Sequence, residues 1–417
     1  MSSVAAVLAT TTTTATSAET AGTTLVAVNR VAEVGLAGQR TETYSASAVD
    51  YNRNGVQDVF IGYHGLGGKL WHNRRGTYTR VARAAWPASN GRGLHVDRHD
   101  CTWADADRNG LPDAYCSTGR MRRNVVKTGR DNELWLQVRR GEFREVGTRW
   151  GVGDVCGRGR QVAFLDVNGD RWPDLFLGND VPRRDPDDPC ADSGNRLPNR
   201  RGKVFINVRG NRFRHVKAQW NFGTGIGTRC AVPFDFDRDG WQDLLACRGP
   251  DQTPRLYRNR SGRGFADVTG RYPLVDAVSD AVVVDLDRDG DRDLVASSTD
   301  GFGYYPAEAG AFTERVLIGT VPEGKGGSVA VGDADGDGDN DVYGLAWTGV
   351  RGNPDDQIWI NDGSNVFSPI PVPSAAGTGD EVLALDPRGT GRTAFLVLNG
   401  YGPDTHGRIQ YIRVVSR

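Results

Sequence analysis

Short apolar runs recur along this chain, and each ends in an acidic turn. VAFLD closes on Asp166 and AVVVD on Asp285. Their unbroken apolar character, rather than strict alternation, predicts strands packed on both faces. A second set of runs follows in phase: LWHNRRGTYTRV, ELWLQVRRGEFREV, KVFINVRGNRFRHV, RLYRNRSGRGFADV and QIWINDGSNVFSPI. Each reads as an aromatic-bearing strand, a turn with Gly or Asn, and a second strand around another aromatic residue. Trp71, Trp135, Phe205, Tyr257 and Trp359 hold the same repeat position, so they read as equivalent core rather than as a ligand stripe. One repeat is therefore strand, acidic loop, strand, longer loop, strand, turn, strand.

The acidic loops begin at Asp50, Asp105, Asp166, Asp235, Asp285, Asp333 and Asp386, six steps that average 56 residues. Four antiparallel strands of about five residues, with their turns, fill that spacing. Such a small sheet cannot bury both faces alone, whereas seven around an axis bury every face and leave only short edges. The predicted fold is all-β: a seven-bladed β-propeller of four-stranded antiparallel blades over residues 23–417. Residues 1–22 are Ala/Thr-rich, with no charge before Glu19. They read as a secretory signal or as a disordered low-complexity tail, and are excluded from the fold. The last repeat supplies strands near Glu381–Asp386, Thr393–Leu398 and Ile409–Val414 and then ends one strand short. The segment TLVAVNRVAEVG, Thr24 to Gly35, resembles the missing fourth strand and is expected to close the ring.

The loops carry the candidate chemistry. DADGDGDND, Asp333 to Asp341, sets carboxylates at positions 1, 3, 5 and 9 and a glycine at position 6. Side chains two residues apart converge only if the backbone curls, and the glycine supplies the positive φ of that curl. Hard oxygen donors closing on one point suit calcium, with the position-7 carbonyl as a further ligand. A helical calcium hand needs Glu at position 12; here Gly344 stands there, between strand-like flanks. Six loops qualify, for up to six calcium ions. Their candidate ligands are Asp50, Asn52, Asn54, Val56 and Asp58; Asp105, Asp107, Asn109, Leu111 and Asp113; Asp166, Asn168, Asp170, Trp172 and Asp174. The later loops offer Asp235, Asp237, Asp239, Trp241 and Asp243; Asp285, Asp287, Asp289, Asp291 and Asp293; Asp333, Asp335, Asp337, Asp339 and Asp341. Carboxylates at positions 1, 3, 5 and 9 number 2, 3, 3, 4, 4 and 4 in chain order, so affinity is expected to rise toward the last three loops. Arg171 takes the position-6 glycine's place in the third loop, which costs about 1 kcal/mol or more at positive φ. The seventh, DPRGTGRTA, has Arg388, Thr390 and Ala394 where acids are needed, and no metal is expected there.

These residues resemble the FG-GAP/VCBS repeat family, whose seven-bladed propellers include the heads of integrin α-subunits. The intact DxDxDGxxD-type loops and the LYRNRSGRGFADV-type strand pairs carry the resemblance, over about residues 24–417. It implies a calcium-binding propeller. It leaves the activity open, because such propellers serve as adhesion heads, lectins and polysaccharide lyases.

Six cysteines add a compartment. Cys101/Cys116 flank the second loop and Cys230/Cys247 the fourth, in the same hairpin register, which points to cross-strand disulfides; Cys156 and Cys190 remain as the third pair. Disulfides belong to an oxidising compartment, so the protein is expected to be secreted or at the cell surface. A net charge of −1 with scattered arginines argues against a nucleic-acid partner. No apolar stretch is long enough to span a membrane. GTVPEGKG, Gly319 to Gly326, comes near a phosphate-binding loop but lacks its Ser/Thr and leads into a strand. No catalytic signature is present. The reading is a monomeric adhesion or ligand-binding module for an extracellular glycan or protein; the alternative is a polysaccharide lyase or other carbohydrate-active enzyme on the same scaffold. The acidic loops and the third-to-fourth turns, expected to be tight, share one face. Longer loops on the other face, 181–201 above all, carry the candidate ligand contacts Arg183, Arg184, Trp347 and Arg351.

Overall fold

The computed structural model describes residues 24–37, 43–63, 67–82, 86, 96–119, 131–154, 157, 159–179, 202–216, 228, 230–247, 253–274, 277–321, 325–347, 355–372, 379–400 and 408–417. These residues build seven four-stranded antiparallel sheets. Blade 1 comprises Thr43–Val49, Asp58–Tyr63, Lys69–Asn73 and Tyr78–Arg80. Blade 2 comprises Arg98–Ala104, Asp113–Thr118, Glu133–Arg139 and Glu142–Glu145. Blade 3 comprises Gly159–Leu165, Asp174–Asn179, Lys203–Asn207 and Phe213–His215. Blade 4 comprises Cys230–Phe234, Asp243–Cys247, Arg255–Asn259 and Phe265–Asp267. Blade 5 comprises Asp280–Val284, Asp293–Ser298, Gly301–Tyr305 and Val316–Gly319. Blade 6 comprises Lys325–Gly332, Asp341–Trp347, Asp356–Asn361 and Phe367–Val372. Blade 7 takes Glu381–Leu385, Ala394–Leu398 and Gln410–Ser416 from the C-terminus and Leu25–Asn29 from the N-terminus.

The first strands touch one another in order around the axis, and blade 7 touches blade 1. Closure is the expected one: Leu25–Asn29 pairs antiparallel with Gln410–Ser416, from Leu25 opposite Ser416 to Asn29 opposite Ile412. The core lies between blades rather than at one centre. Trp71, Trp135, Phe205, Tyr257 and Trp359 are all buried there. Each stands opposite the residue that follows its loop's ninth position, as Val59 faces Trp71. The same register puts Tyr305 in blade 5 and Ile412 in blade 7.

One turn departs from expectation. Between the third and fourth strands of blade 5 the chain makes an extra hairpin, Ala307–Glu308 with Ala311–Phe312, instead of a tight turn. Burial is the reason: the hairpin delivers Phe312 into the blade 4–5 core, stacked on Phe236 at 6.2 Å and tilted against Phe234 at 6.0 Å. The stretch at Lys325 is a strand, as the rejection of a phosphate-binding loop requires. Both hairpin cysteine pairs are disulfides, Cys101–Cys116 and Cys230–Cys247, with Cα atoms 4.1 and 4.7 Å apart. Cys156 and Cys190 lie outside the described residues. No helix among the described residues is long and apolar enough to cross a membrane.

Candidate functional site

The loops share one backbone device. The position-1 carboxylate folds back over its own loop and accepts N–H groups at positions 4 to 6. Asp50 accepts from Asn54 and Gly55 at 2.9 and 2.8 Å, and Asp333 from Gly336 and Gly338 at 2.6 and 3.0 Å. Position 6 has positive φ in every loop, including Arg171 at 64°, whose N–H still reaches Asp166 at 2.7 Å. Position 4 does too: Arg53, Arg108, Arg238 and Arg288 have φ of 55, 56, 57 and 63°, with Gly169, Gly336 and Gly389 in the other loops. Sequence reading missed this second left-handed position.

The ninth carboxylate is a pin. Asp58, Asp113, Asp174, Asp243, Asp293 and Asp341 are fully buried. One oxygen accepts the N–H of a third-strand residue, Asn73, Gln137, Asn207, Asn259 or Asn361, or in blade 5 of Ala307 in the extra hairpin, at 2.6 to 2.9 Å. In loops 2 to 6 the other oxygen accepts the N–H of position 2: Ala106, Val167, Phe236, Leu286 or Ala334, at 2.7 to 3.1 Å. Burial, partly offset by these donors, pushes Asp113, Asp174, Asp243 and Asp341 up to about 7, and Asp58 to about 6. Neighbouring loop carboxylates add to the rise.

Convergence is real in four loops. Asp105/Asp107/Asp113, Asp235/Asp237/Asp239, Asp285/Asp287/Asp289 and Asp333/Asp335/Asp341 each bring carboxylate oxygens within 4.8 Å of one another. Such all-oxygen, net-negative sets are able to hold a hard metal ion. The fit is best at loops 2 and 5, where Asp105 Oδ1 and Asp285 Oδ1 are buried with no hydrogen-bond partner among the described residues. In loop 1, Asn52 and Asn54 stand among the acids, and Asn52 Nδ2 is spent on Asp58 at 2.9 Å. In loop 3, Asn168 Nδ2 is spent on Asp170 at 3.0 Å. In loop 4, Arg258 already contacts Asp237, and reaches Asp239 at 2.9 Å. Loop 7 keeps the backbone cage, with Asp386 accepting from Thr390 and Gly391 at 3.0 and 2.7 Å. Burial raises its carboxyl, but these backbone donors outweigh it and hold Asp386 below the ordinary value.

Neighbouring loops are linked into a belt. Position 4 of one loop meets position 7 of the next: Arg108 lies over the Trp172 ring at 4.0 Å, Arg238 pairs with Asp291, and Arg288 pairs with Asp339 at 2.5 Å. Where position 7 is Trp241, position 4 of the preceding loop is Gly169, and a Cβ there would lie 2.8 Å from the indole. A third-strand amide staples blade to blade. Asn73, Gln137, Asn207 and Asn259 each donate to the position-2 carbonyl of the preceding loop: Pro387, Tyr51, Ala106 and Val167, at 2.8 to 3.0 Å. The signal for this staple was present in the recurrent Asn of LWHN, VFIN and LYRN.

The turns between third and fourth strands lie on the same face, since Gly210 approaches Asp107 and Gly262 approaches Asn168. Trp347 ends the second strand of blade 6, opposite Lys325 and at the far end of the blade from its acidic loop. Arg183, Arg184 and Arg351 lie outside the described residues.

A family model described as an FG-GAP-like repeat matches residues 235–296 and 285–344, the loops at Asp235, Asp285 and Asp333. No curated protein matches the chain in sequence. Among solved structures, one from Agrocybe aegerita, described as a lectin recognising non-reducing terminal N-acetylglucosamine, is 14% identical with a TM-score of 0.51. That match covers 89% of this chain and 98% of the lectin. BBS1N, solved in complex with ARL6DN, is 9% identical over 91% of this chain and 94% of its own, with a TM-score of 0.51. At these identities the likeness concerns the fold alone. The chain is a seven-bladed β-propeller that carries FG-GAP-like repeats.

Proposed function

We propose that this propeller is a secreted, calcium-stabilised module that binds an extracellular glycan or protein on the face away from its acidic loops. The observation that carries the reading is the clustering of loop carboxylates within 4.8 Å, with orphaned buried oxygens at Asp105 and Asp285. Bound calcium would neutralise those carboxylates and fasten positions 1, 3 and 5 to the ninth-position pin. Asp105, Asp107 and Asp113, Asp285, Asp287 and Asp289, and Asp333, Asp335 and Asp341 are the first candidates to hold it. Disulfides at Cys101–Cys116 and Cys230–Cys247 support an oxidising compartment. With the loop face tied into a belt, the opposite face is the freer one for recognition, and Trp347, Arg183, Arg184 and Arg351 are the proposed contacts. The same fold in a lectin is compatible with a glycan ligand.

The test is a screen of glycans and extracellular proteins with and without calcium, beside metal analysis. Fewer than three calcium ions per chain at millimolar calcium would defeat the metal assignment. For a ligand from that screen, replacing residues 183–199 with a short Gly/Ser linker should abolish binding while calcium content and Tm stay unchanged. Binding that survives the replacement, and is lost instead on substitution in the turns beside the acidic loops, reverses the faces. Turnover of an anionic polysaccharide would make the protein an enzyme instead.

A further inference from the structure

We propose that blade 7 carries an oxyanion site in the place where the other blades carry an acidic loop. The loop backbone is intact there: Asp386 is caged by its own amides, and Gly389 and Gly391 have φ of 67 and 82°. Only the side chains have changed. Arg388 stands at position 3 and Ala394 at position 9. In the other six blades the ninth carboxylate fills the space between loop and third strand and ties them together. Ala394 leaves that space open as a cleft of about 70 Å³, lined by Arg388, Arg392, Arg413, Tyr411, Thr77 and Arg30 among others. One water takes about 10–15 Å³ on this scale, so the cleft has room for roughly five to seven heavy atoms, enough for a sulfate or a carboxylate group.

The charge fits such an occupant. Four arginines line the cleft against a single acid, Glu33, and Glu33 pairs with Arg30 at 2.6 Å. Neither Arg388 nor Arg413 has a carboxylate partner among the described residues. Asp386, at position 1 of the loop, is turned onto the backbone amides of Thr390 and Gly391. Arg392 is held in place: its Nε donates to the Ala334 carbonyl at 3.2 Å and its Nη2 to the Val414 carbonyl at 2.9 Å. Arg388 is accommodated by Gly76, at φ 97°, where a Cβ would lie 2.9 Å from its Nε. Next to the lining Tyr411, with ring centroids 6.5 Å apart, the Tyr78 hydroxyl is buried without a hydrogen-bond partner among the described residues. Planar guanidinium forks recognise an oxyanion through paired hydrogen bonds. The bound group would replace the missing ninth carboxylate and bridge the C-terminal blade to the N-terminal segment at Arg30. The ligand chemistry is therefore a small oxyanion, either free or carried as the sulfate ester or uronate of an acidic saccharide.

The test uses the full chain in chelator, so that no bound metal supplies charge and the outcome does not depend on the calcium reading. Inorganic sulfate, a monosaccharide sulfate and its uncharged parent sugar are titrated by calorimetry, with Tm followed against chloride at equal ionic strength. One saturable site for sulfate, with a rise in Tm, is expected. Tighter binding of the monosaccharide sulfate than of inorganic sulfate identifies a saccharide-borne group; equal or weaker binding identifies a free anion. Arg388→Gln with Arg413→Gln should remove the site. Ala394→Asp should also remove it, by supplying the carboxylate internally, and should raise the Tm measured without sulfate. The Ala394→Asp result stands even if the double variant fails to fold. No saturable sulfate binding, or sulfate binding unchanged in Ala394→Asp, overturns the proposal.

Discussion

A single residue separates the fourth loop from its neighbours. The third-strand position after the buried aromatic is Leu136, Ile206 or Ile360 in blades 2, 3 and 6, and these side chains pack into the core. In blade 4 it is Arg258, whose guanidinium contacts Asp237 and lies 2.9 Å from Asp239. It is a tethered cation between two of the carboxylates a metal would need. Counting acids alone ranks this loop with those at Asp285 and Asp333; the structure revises that ranking, because a metal entering loop 4 must displace Arg258. The arginine is 43% exposed, so the pair is worth only about 1 kcal/mol. Arg258→Gln should therefore tighten one calcium site by about fivefold. Calorimetric titration showing unchanged affinities and stoichiometry would remove Arg258 from this role. Aromatic and acidic residue types were readable along the chain because they repeat. Arg258 was not, since nothing in LYRN says that the side chain turns toward Asp237.

Each blade element is held to its neighbour by buried polar groups. Asn259 is 1% exposed; its side-chain amide donates to Val167 and Gln242 and accepts from the Gly262 N–H at 2.9 Å. Asn259→Ala leaves these groups unpaired across the blade 3–4 seam and should cost about 2–4 kcal/mol, measured by chemical denaturation. A loss under 1 kcal/mol would show that the staple is dispensable. The ninth carboxylates add a pH dependence. The folded values of Asp58, Asp113, Asp174, Asp243 and Asp341, about 6 to 7, lie above an unfolded value of 3.8, and burial raises Asp293 in the same direction. In the metal-free protein the folded state thus binds more protons between about pH 4 and 7, and stability falls as pH rises through that window. Calcium demands the ionised form, so its affinity should fall as pH drops from 7 to 5. Metal-free protein should melt higher at pH 5.5 than at pH 7.5, and saturating calcium should shrink or invert the difference. Thermal melts in chelator that show higher stability at pH 7.5 would contradict the assignment.

For the whole molecule, stability rests on ring closure. Leu25–Asn29 is the fourth strand of blade 7, hydrogen-bonded along Gln410–Ser416, and Leu25 and Ala27 pack on the blade 6–7 core. Deleting residues 1–22 should leave Tm unchanged, whereas deleting 1–36 should lower it strongly; equal melting of the two would rule out a closure role. Repeat length, strand order, the positions of the acidic loops, both hairpin disulfides and even this closure were legible in the sequence, because each is a local pattern copied blade after blade and period sets strand number. The blade 5 hairpin was not, because Phe312 finds its place only against Phe236 and Phe234 of another blade. Nor were the belt from Arg108 to Trp172, the counter-cation at Arg258, or the basic cleft opened by Ala394. Those depend on which side chains the curvature of the ring brings together from separate repeats. The chain's own periodicity determined how many blades form and where their acidic turns fall; only the closed ring decided which of those turns face a neutralising arginine, a buried aromatic or an empty space.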